Sequence, residues 1–174
     1  MGFNSGVERV IYIALGANLP SHVGEPLMTL NKALERFPIK GIKVEALSNW
    51  YETAPVPVSD QPHYVNAVAL VSTQQDPASL LYTLLSIEDE FGRERLERNA
   101  ARTLDLDILD FNGEVSEYSP VLPHPRLQDR GFVLLPLRDV APKWRHPVTG
   151  QGVDDLISAV ADVSTVKKIT EELA

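Results

Sequence analysis

The segment TLDLDILDF, residues 103–111, decides the fold. Apolar and polar residues alternate along it, and a period of two marks a strand with one face against a core. Leu104, Leu106 and Ile108 fall on the apolar face, and Thr103, Asp105, Asp107 and Leu109 on the other. Asn112-Gly113 then predicts a turn. Upstream, an Asp76-Pro77 N-cap pair opens a helix that carries Leu80, Leu81, Leu84, Ile87 and Phe91 at helical spacing and ends at Gly92. Before it, YVNAVALVST (64–73) and IKVEALSNWYE (42–52) read as strands. Residues 25–37 place Leu27, Leu30, Leu34 and Phe37 on one helical face, with Pro38 as the stop. RVIYIALG (9–16) reads as a buried strand.

The order β-α-β-β-α-β over residues 9–111 matches the split βαβ pattern. It predicts an α+β, ferredoxin-like βαββαβ sandwich with helices on one sheet face. A C-terminal helical extension follows: FVLLPLRDV begins a helix, and residues 152–172 hold one or two short ones. Residues 53–63 and 121–131 are stiff, proline-containing loops. No linker or repeat divides the chain, so 1–174 reads as one domain with its core at about 9–145.

The chain has no cysteine, 24 acidic and 16 basic side chains, and a net charge of −8. Disulfides, thiolate catalysis and zinc–cysteine sites are thereby excluded. The acid excess argues against generic binding to nucleic acid or anionic membrane. Missing cysteine and membrane segments fit a cytoplasmic protein. Against that average, six of the ten arginines lie between Arg93 and Arg130, four of them in RERLERNAAR (93–102). Such crowding suits one compact anion, or else a solvated helix end whose charges Glu94 and Glu97 interrupt.

Asp105 and Asp107 share a strand face at a Cα separation of about 7 Å. Two carboxylates so placed can hold Mg²⁺, which takes its other ligands from water and substrate phosphates. Arg102 beside them supplies the phosphate clamp, or merely neutralises the pair. No P-loop or Gly-rich dinucleotide turn is present, and Gly16-Ala17-Asn18 reads as a structural turn. Tyr64 and Asn66, on one face of their strand, could hold a flat heterocycle by stacking and an amide edge, or could be a core tyrosine and a surface asparagine. His124, Arg130 and Phe132 sit on or beside the second stiff loop, where the alternative is an inward-packed aromatic. Glu88, near the end of its helix, is placed to orient an arginine or to form a plain surface pair.

Taken together, IALGANL (13–19), YETAPV (51–56), DQPHYVNAV (60–68), IEDEFGRER (87–95), RTLDLDILDF (102–111) and LPHPRLQDRGFVLLPL (122–137) resemble the 6-hydroxymethyl-7,8-dihydropterin pyrophosphokinases of folate synthesis. The resemblance implies the same ferredoxin-like fold and transfer of the β,γ-pyrophosphoryl unit of ATP to the pterin hydroxymethyl oxygen, leaving AMP. It implies two Mg²⁺ ions on Asp105 and Asp107. Tyr64 and Phe132 would sandwich the pterin, and Asn66 with groups near Thr53 and Val56 would read its edge. Glu88, Arg93, Arg102, Ile108, His124 and Arg130 would contact ATP or order those contacts. Arg95 and Arg98 would be catalytic, on a mobile loop. Arg126 is left to the surface. ATP and pterin are the expected partners of a monomer.

Two departures stand out. Many members carry Arg-Trp-Gly-Pro-Arg where this chain has Arg98-Asn99-Ala100-Ala101-Arg102, and Ala54 replaces a frequent proline. The altered loop leaves open a second reading, a module that binds pterin or nucleotide without turnover.

Overall fold

The computed structural model describes residues 9–95 and 97–170. Its centre is β1 (Ile11–Ala17), whose residues Ile11, Ile13, Leu15 and Ala17 are almost wholly shielded. β4 (Tyr64–Thr73) and β5 (Asp105–Phe111) flank it, both antiparallel. β2 (Ile42–Leu47) and β3 (Tyr51–Thr53) both pair with β4, and β6 (Lys167–Lys168) pairs with β3. The result is an open, antiparallel six-stranded sheet in the order β5-β1-β4-β3-β6, with β2 beside β4. Four α-helices accompany it among the described residues: α1 (Pro26–Ile39), α2 (Pro77–Glu90), α3 (Gly131–Val140) and α4 (Val153–Ala159). None is long and apolar enough to cross a membrane.

The expected helix layer on one sheet face is only half of the arrangement. One face packs Ile13, Leu15, Leu104 and Leu106 against Leu30 and Phe37 of α1 and Leu80, Leu84 and Ile87 of α2. The opposite face packs Tyr12, Val68 and Leu109 against Val133, Leu134 and Leu137 of α3, with Trp144 and the α4 residues Val153 and Leu156. The C-terminal helices are thus a cover for the second face, required because β1 is apolar on both sides.

Three local boundaries also depart from the expectation. The predicted strand 42–52 is broken at Ser48, whose hydroxyl accepts the Val68 N–H at 2.9 Å in place of a ladder bond. Asn49 then turns outward to Asp139 on α3, whose Oδ2 accepts from the Asn49 N–H, the Asn49 amide and the Tyr51 hydroxyl. Burial and that carboxylate together push the Tyr51 phenol up to about 12. Second, α1 runs one residue past Pro38: the proline offers no N–H to the Leu34 carbonyl, but the Lys40 and Gly41 N–H groups still close the last turn, which Gly41 ends at φ 81°. Third, β6 stands where only helix was expected.

β5 carries a bulge. Ile13 pairs with Ile108 but Tyr12 pairs with Asp110, so the strand gains one residue at Leu109 and two successive side chains, Leu109 and Asp110, face the α3 side. The alternation read from the sequence therefore holds as far as Leu109. Beyond it Asp110, 5% exposed, accepts from the Trp144 indole N–H at 2.8 Å and from the Gly113 N–H at 2.8 Å. The expected Asn112-Gly113 turn follows, both residues at positive φ. Replacing Trp144 by Phe would leave a buried carboxylate oxygen without its donor. We expect Trp144→Phe to lose about 1–3 kcal/mol in urea unfolding with an unchanged m-value.

Candidate active site

The cleft lies on the α3 side of the sheet, at the ends of β3, β4 and β5 nearest the two stiff loops. Its first half is a pocket walled by Thr53, Val56 and Gln61 from the 53–63 segment, by Tyr64 and Asn66 of β4, and by Phe132 of α3. Tyr64 and Phe132 therefore line one pocket, as the stacking reading requires. Asn66 is buried beside Gly16, where a Cβ would come within 3.0 Å of its Oδ1; Gly16 and Ala17, read from the sequence as a turn, are instead the end of β1, and the missing side chain makes room for this amide. The Asn66 Nδ2 is buried without a hydrogen-bond partner. A buried, unspent donor beside a pocket is costly unless a ligand completes it. Burial also pushes the Tyr64 phenol above its ordinary value, although the Arg102 guanidinium beside it acts the other way.

The second half is charged. Arg93, Arg98, Arg102 and Arg130 line it with His124, Asp105 and Asp107. Arg126, expected at the surface, also lines it. The two halves share Arg102, Asp105, Arg130 and Asn99, so Asp105 stands at their junction. Arg102 Nη1 and Arg93 Nη1 each reach an Asp105 oxygen at 3.0 Å. Arg130 lies over the Phe132 ring, 5.5 Å from its centroid, and so joins the flat pocket to the charged one. The half-buried His124 is held down in pKa by burial, with the Arg130 charge adding to it, and its Nδ1 accepts the Arg126 N–H at 3.2 Å.

Behind the cleft, Glu88 is 3% exposed and organises three segments. Its Oε2 accepts the Leu106 N–H of β5 at 2.8 Å, and its Oε1 holds Arg95 at 2.8 Å with Arg93 at 3.8 Å. Burial raises its pKa in spite of those partners. Of the two readings left open for Glu88, the orienting one fits this geometry. Arg95 is not brought to the cleft: Glu88 and Asp89 hold it on the helix side. The Ile108 side chain also lies elsewhere, in the core under the opposite face, so only its main chain is left for a nucleotide.

Burial pushes the Asp107 carboxyl up to about 7, and the neighbouring Asp105 and Glu88 charges add to it. A carboxylate so short of positive charge suits a cation. Among the described residues no group of three or more acidic or imidazole side chains could hold a metal ion. An ion on Asp105 and Asp107 must therefore draw most ligands from water and substrate oxygens, as Mg²⁺ does.

Sequence reasoning misses two polar residues here. Asn18, 1% exposed, bonds Gln61 of the first stiff loop and Arg102 of the arginine-rich segment. Gln61 lines the flat pocket. The available signal is an asparagine placed directly after an apolar strand.

The chain matches, over residues 12–142, the family model of the 7,8-dihydro-6-hydroxymethylpterin-pyrophosphokinases. It is 38% identical to the 2-amino-4-hydroxy-6-hydroxymethyldihydropteridine pyrophosphokinase of Haemophilus influenzae, covering 90% of this chain and 96% of that protein. It is also 38% identical to the folic acid synthesis protein fol1 of Pneumocystis carinii over 91% of this chain, but spans only 21% of that longer protein. Among solved structures, an HPPK-DHPS of Plasmodium falciparum superposes with a TM-score of 0.69 at 17% identity, over 93% of this chain and 46% of that one, which is a likeness of fold.

The geometry makes Glu88 a tie between helix and strand. Glu88→Ala would strand the Leu106 N–H and take one carboxylate partner from Arg95 and Arg93, which keep Asp89 and Asp105, at a cost of about 2–4 kcal/mol in denaturant unfolding. Glu88→Gln keeps an acceptor for Leu106 and should lose less.

Proposed function

The chain belongs to the 7,8-dihydro-6-hydroxymethylpterin-pyrophosphokinase family, and on that premise we propose that it transfers pyrophosphate from ATP to 6-hydroxymethyl-7,8-dihydropterin in this cleft, for folate synthesis. One observation carries the assignment of the cleft: a flat pocket with an unspent amide donor opens onto an arginine-lined trough, with Asp105 where the two meet. A pterin is a flat ring with a donor–acceptor edge, and a triphosphate is a compact polyanion. Each half matches one substrate.

In this reading Tyr64 and Phe132 stack the pterin, while Asn66 and groups near Thr53 and Val56 take its polar edge. Arg93, Arg102 and Arg130 bind the triphosphate, His124 faces the nucleotide as a neutral imidazole, and Glu88 holds Arg93 in place. Arg98 and Arg126 line the same trough and add positive charge near the transferred group. The pterin hydroxymethyl oxygen attacks the β-phosphorus, the bond to the α-phosphate oxygen breaks, and AMP leaves. Asp105 and Asp107 would hold two Mg²⁺ ions, which neutralise phosphate charge as it develops. The protein's own contribution is alignment and charge placement, with no covalent intermediate on the enzyme. Arg95 takes part only after release from Glu88 and Asp89. The strand order, with β5 and β4 on either side of β1 and the β2/β3 pair outside β4, supports the ferredoxin-like sandwich as the frame.

The reading requires AMP production that depends on both the reduced pterin and Mg²⁺. Asp105→Ala and Asp107→Ala should each lower turnover by about 10²–10³-fold while circular dichroism stays unchanged. Full activity in both variants would remove the metal pair from the mechanism. Pterin binding without AMP would instead support the idle binding module.

Stacking gives a separate expectation. Phe132→Ala should raise the KM for pterin about three- to tenfold and leave that for ATP nearly constant.

A further inference from the structure

Residues 162–169 belong to neither apolar core, yet they lean on the supports of both walls of the flat pocket. At one end they pack against the start of α3, where a Cβ on Gly131 would come within 2.9 Å of Asp162 Oδ1 and 3.1 Å of Val163 Cα. Glycine alone lets the two main chains approach so closely. The next residue of α3 is Phe132, a pocket wall. At the other end Lys167 and Lys168 pair with Glu52 and Tyr51 of β3, and the Ile169 N–H donates to the Trp50 carbonyl at 2.8 Å. β3 ends at Thr53, where the opposite wall begins. Between these two anchors Val166 is buried.

β3 has only three residues. A strand so short, paired with β4 alone, would fray, and the main chain that runs on from Thr53 to Val56 along the pocket would lose its position. β6 gives β3 a second neighbour. Both lysine side chains of β6 are exposed, so its hold is exerted through the main chain. The other tie between the walls, from the Tyr51 hydroxyl to the Asp139 carboxylate of α3, uses a side chain and leaves the outer edge of β3 unpaired. None of the residues that line the charged trough lies on β3 or within 162–169.

We propose that residues 162–169 are a strap that sets the distance between the Phe132 face of the flat pocket and the main chain at 53–56, and that Val166 and Ile169 are positioning residues for the flat-ring substrate. The proposal rests on the reading of this pocket as the pterin site. A ring that is stacked on one wall and hydrogen-bonded along its edge by another tolerates little displacement between them, so loosening the strap costs pterin binding and spares the triphosphate.

The test is steady-state AMP formation by the full chain, with the KM of each substrate measured at saturation of the other. Ile169→Pro removes the N–H that bonds Trp50, and should raise the KM for pterin about fivefold or more while the KM for ATP stays within about twofold of wild type. Val166→Ala shortens the buried side chain between the anchors and should raise the pterin KM about two- to threefold, again without moving that of ATP. It is the deciding variant if Ile169→Pro fails to fold. Thermal melts accompany both. A segment that served stability alone would lower the melting temperature and the active fraction, and so kcat, and would leave both KM values in place.

A pterin KM that keeps its wild-type value in the folded variants, or an ATP KM that rises in step with it, overturns the proposal. Failure of the functional reading has a different signature, since wild type would then form no AMP at all.

Discussion

A single buried carboxylate holds this structure's working strand in place. β5 is the outer strand of the sheet, so its outward N–H and C=O groups have no neighbouring strand to satisfy them. Glu88 takes the Leu106 N–H, Arg93 donates to the Leu104 carbonyl at 2.7 Å, and the His124 N–H donates to the Leu109 carbonyl at 2.8 Å. Side chains and loop backbone thus do what a further strand would do. Because Glu88 also grips Arg95 and approaches Arg93, the strand's free side and the arginine segment are fastened by the same group. Asp105 and Asp107 can then project from the strand at a fixed spacing, at the mouth of the cleft.

The charge pattern follows from that arrangement. The chain is acidic overall, at −8, and its arginines gather where carboxylates already sit. Arg93 and Arg102 spend part of their charge on Asp105, and Arg95 spends its own on Glu88 and Asp89. Two of the trough's arginines, Arg93 and Arg102, are therefore already paired, and a polyanion with its cations can engage them by exchanging partners.

Much of the frame is legible in the sequence because period and capping are local. Asp76 does cap α2, accepting the Ser79 N–H at 2.8 Å, and the alternation over 103–108 is enough to put the two aspartates on one face. What escapes depends on partners distant in sequence. Nothing within residues 42–52 says that the Ser48 hydroxyl will bond the Val68 N–H and break the strand. Nor does the sequence near Lys167 say that β3 awaits it. In the site, aromatic and charged residues announce themselves by type. Asn18 and Gln61 do not, because an amide's role lies in its bonds and not in its charge. Arg126 reads as a surface residue until its loop is seen to line the trough, and Arg95 reads as a cleft residue although Glu88 draws it aside.

The C-terminal segment gives the pocket an order of assembly. β3 ends at Thr53, a wall of the flat pocket, and its outer edge is completed by Lys167 and Lys168. The same segment passes so close to Gly131 that a Cβ there would meet Asp162 Oδ1 at 2.9 Å and Val163 Cα at 3.1 Å, beside Arg130 and Phe132. Both walls of the pocket thus lean on residues that follow them in the chain. On the ribosome, the sheet and its first helices can form while the chain is still being extended, but the pocket gains its final support only after residues 162–168 have left the exit tunnel.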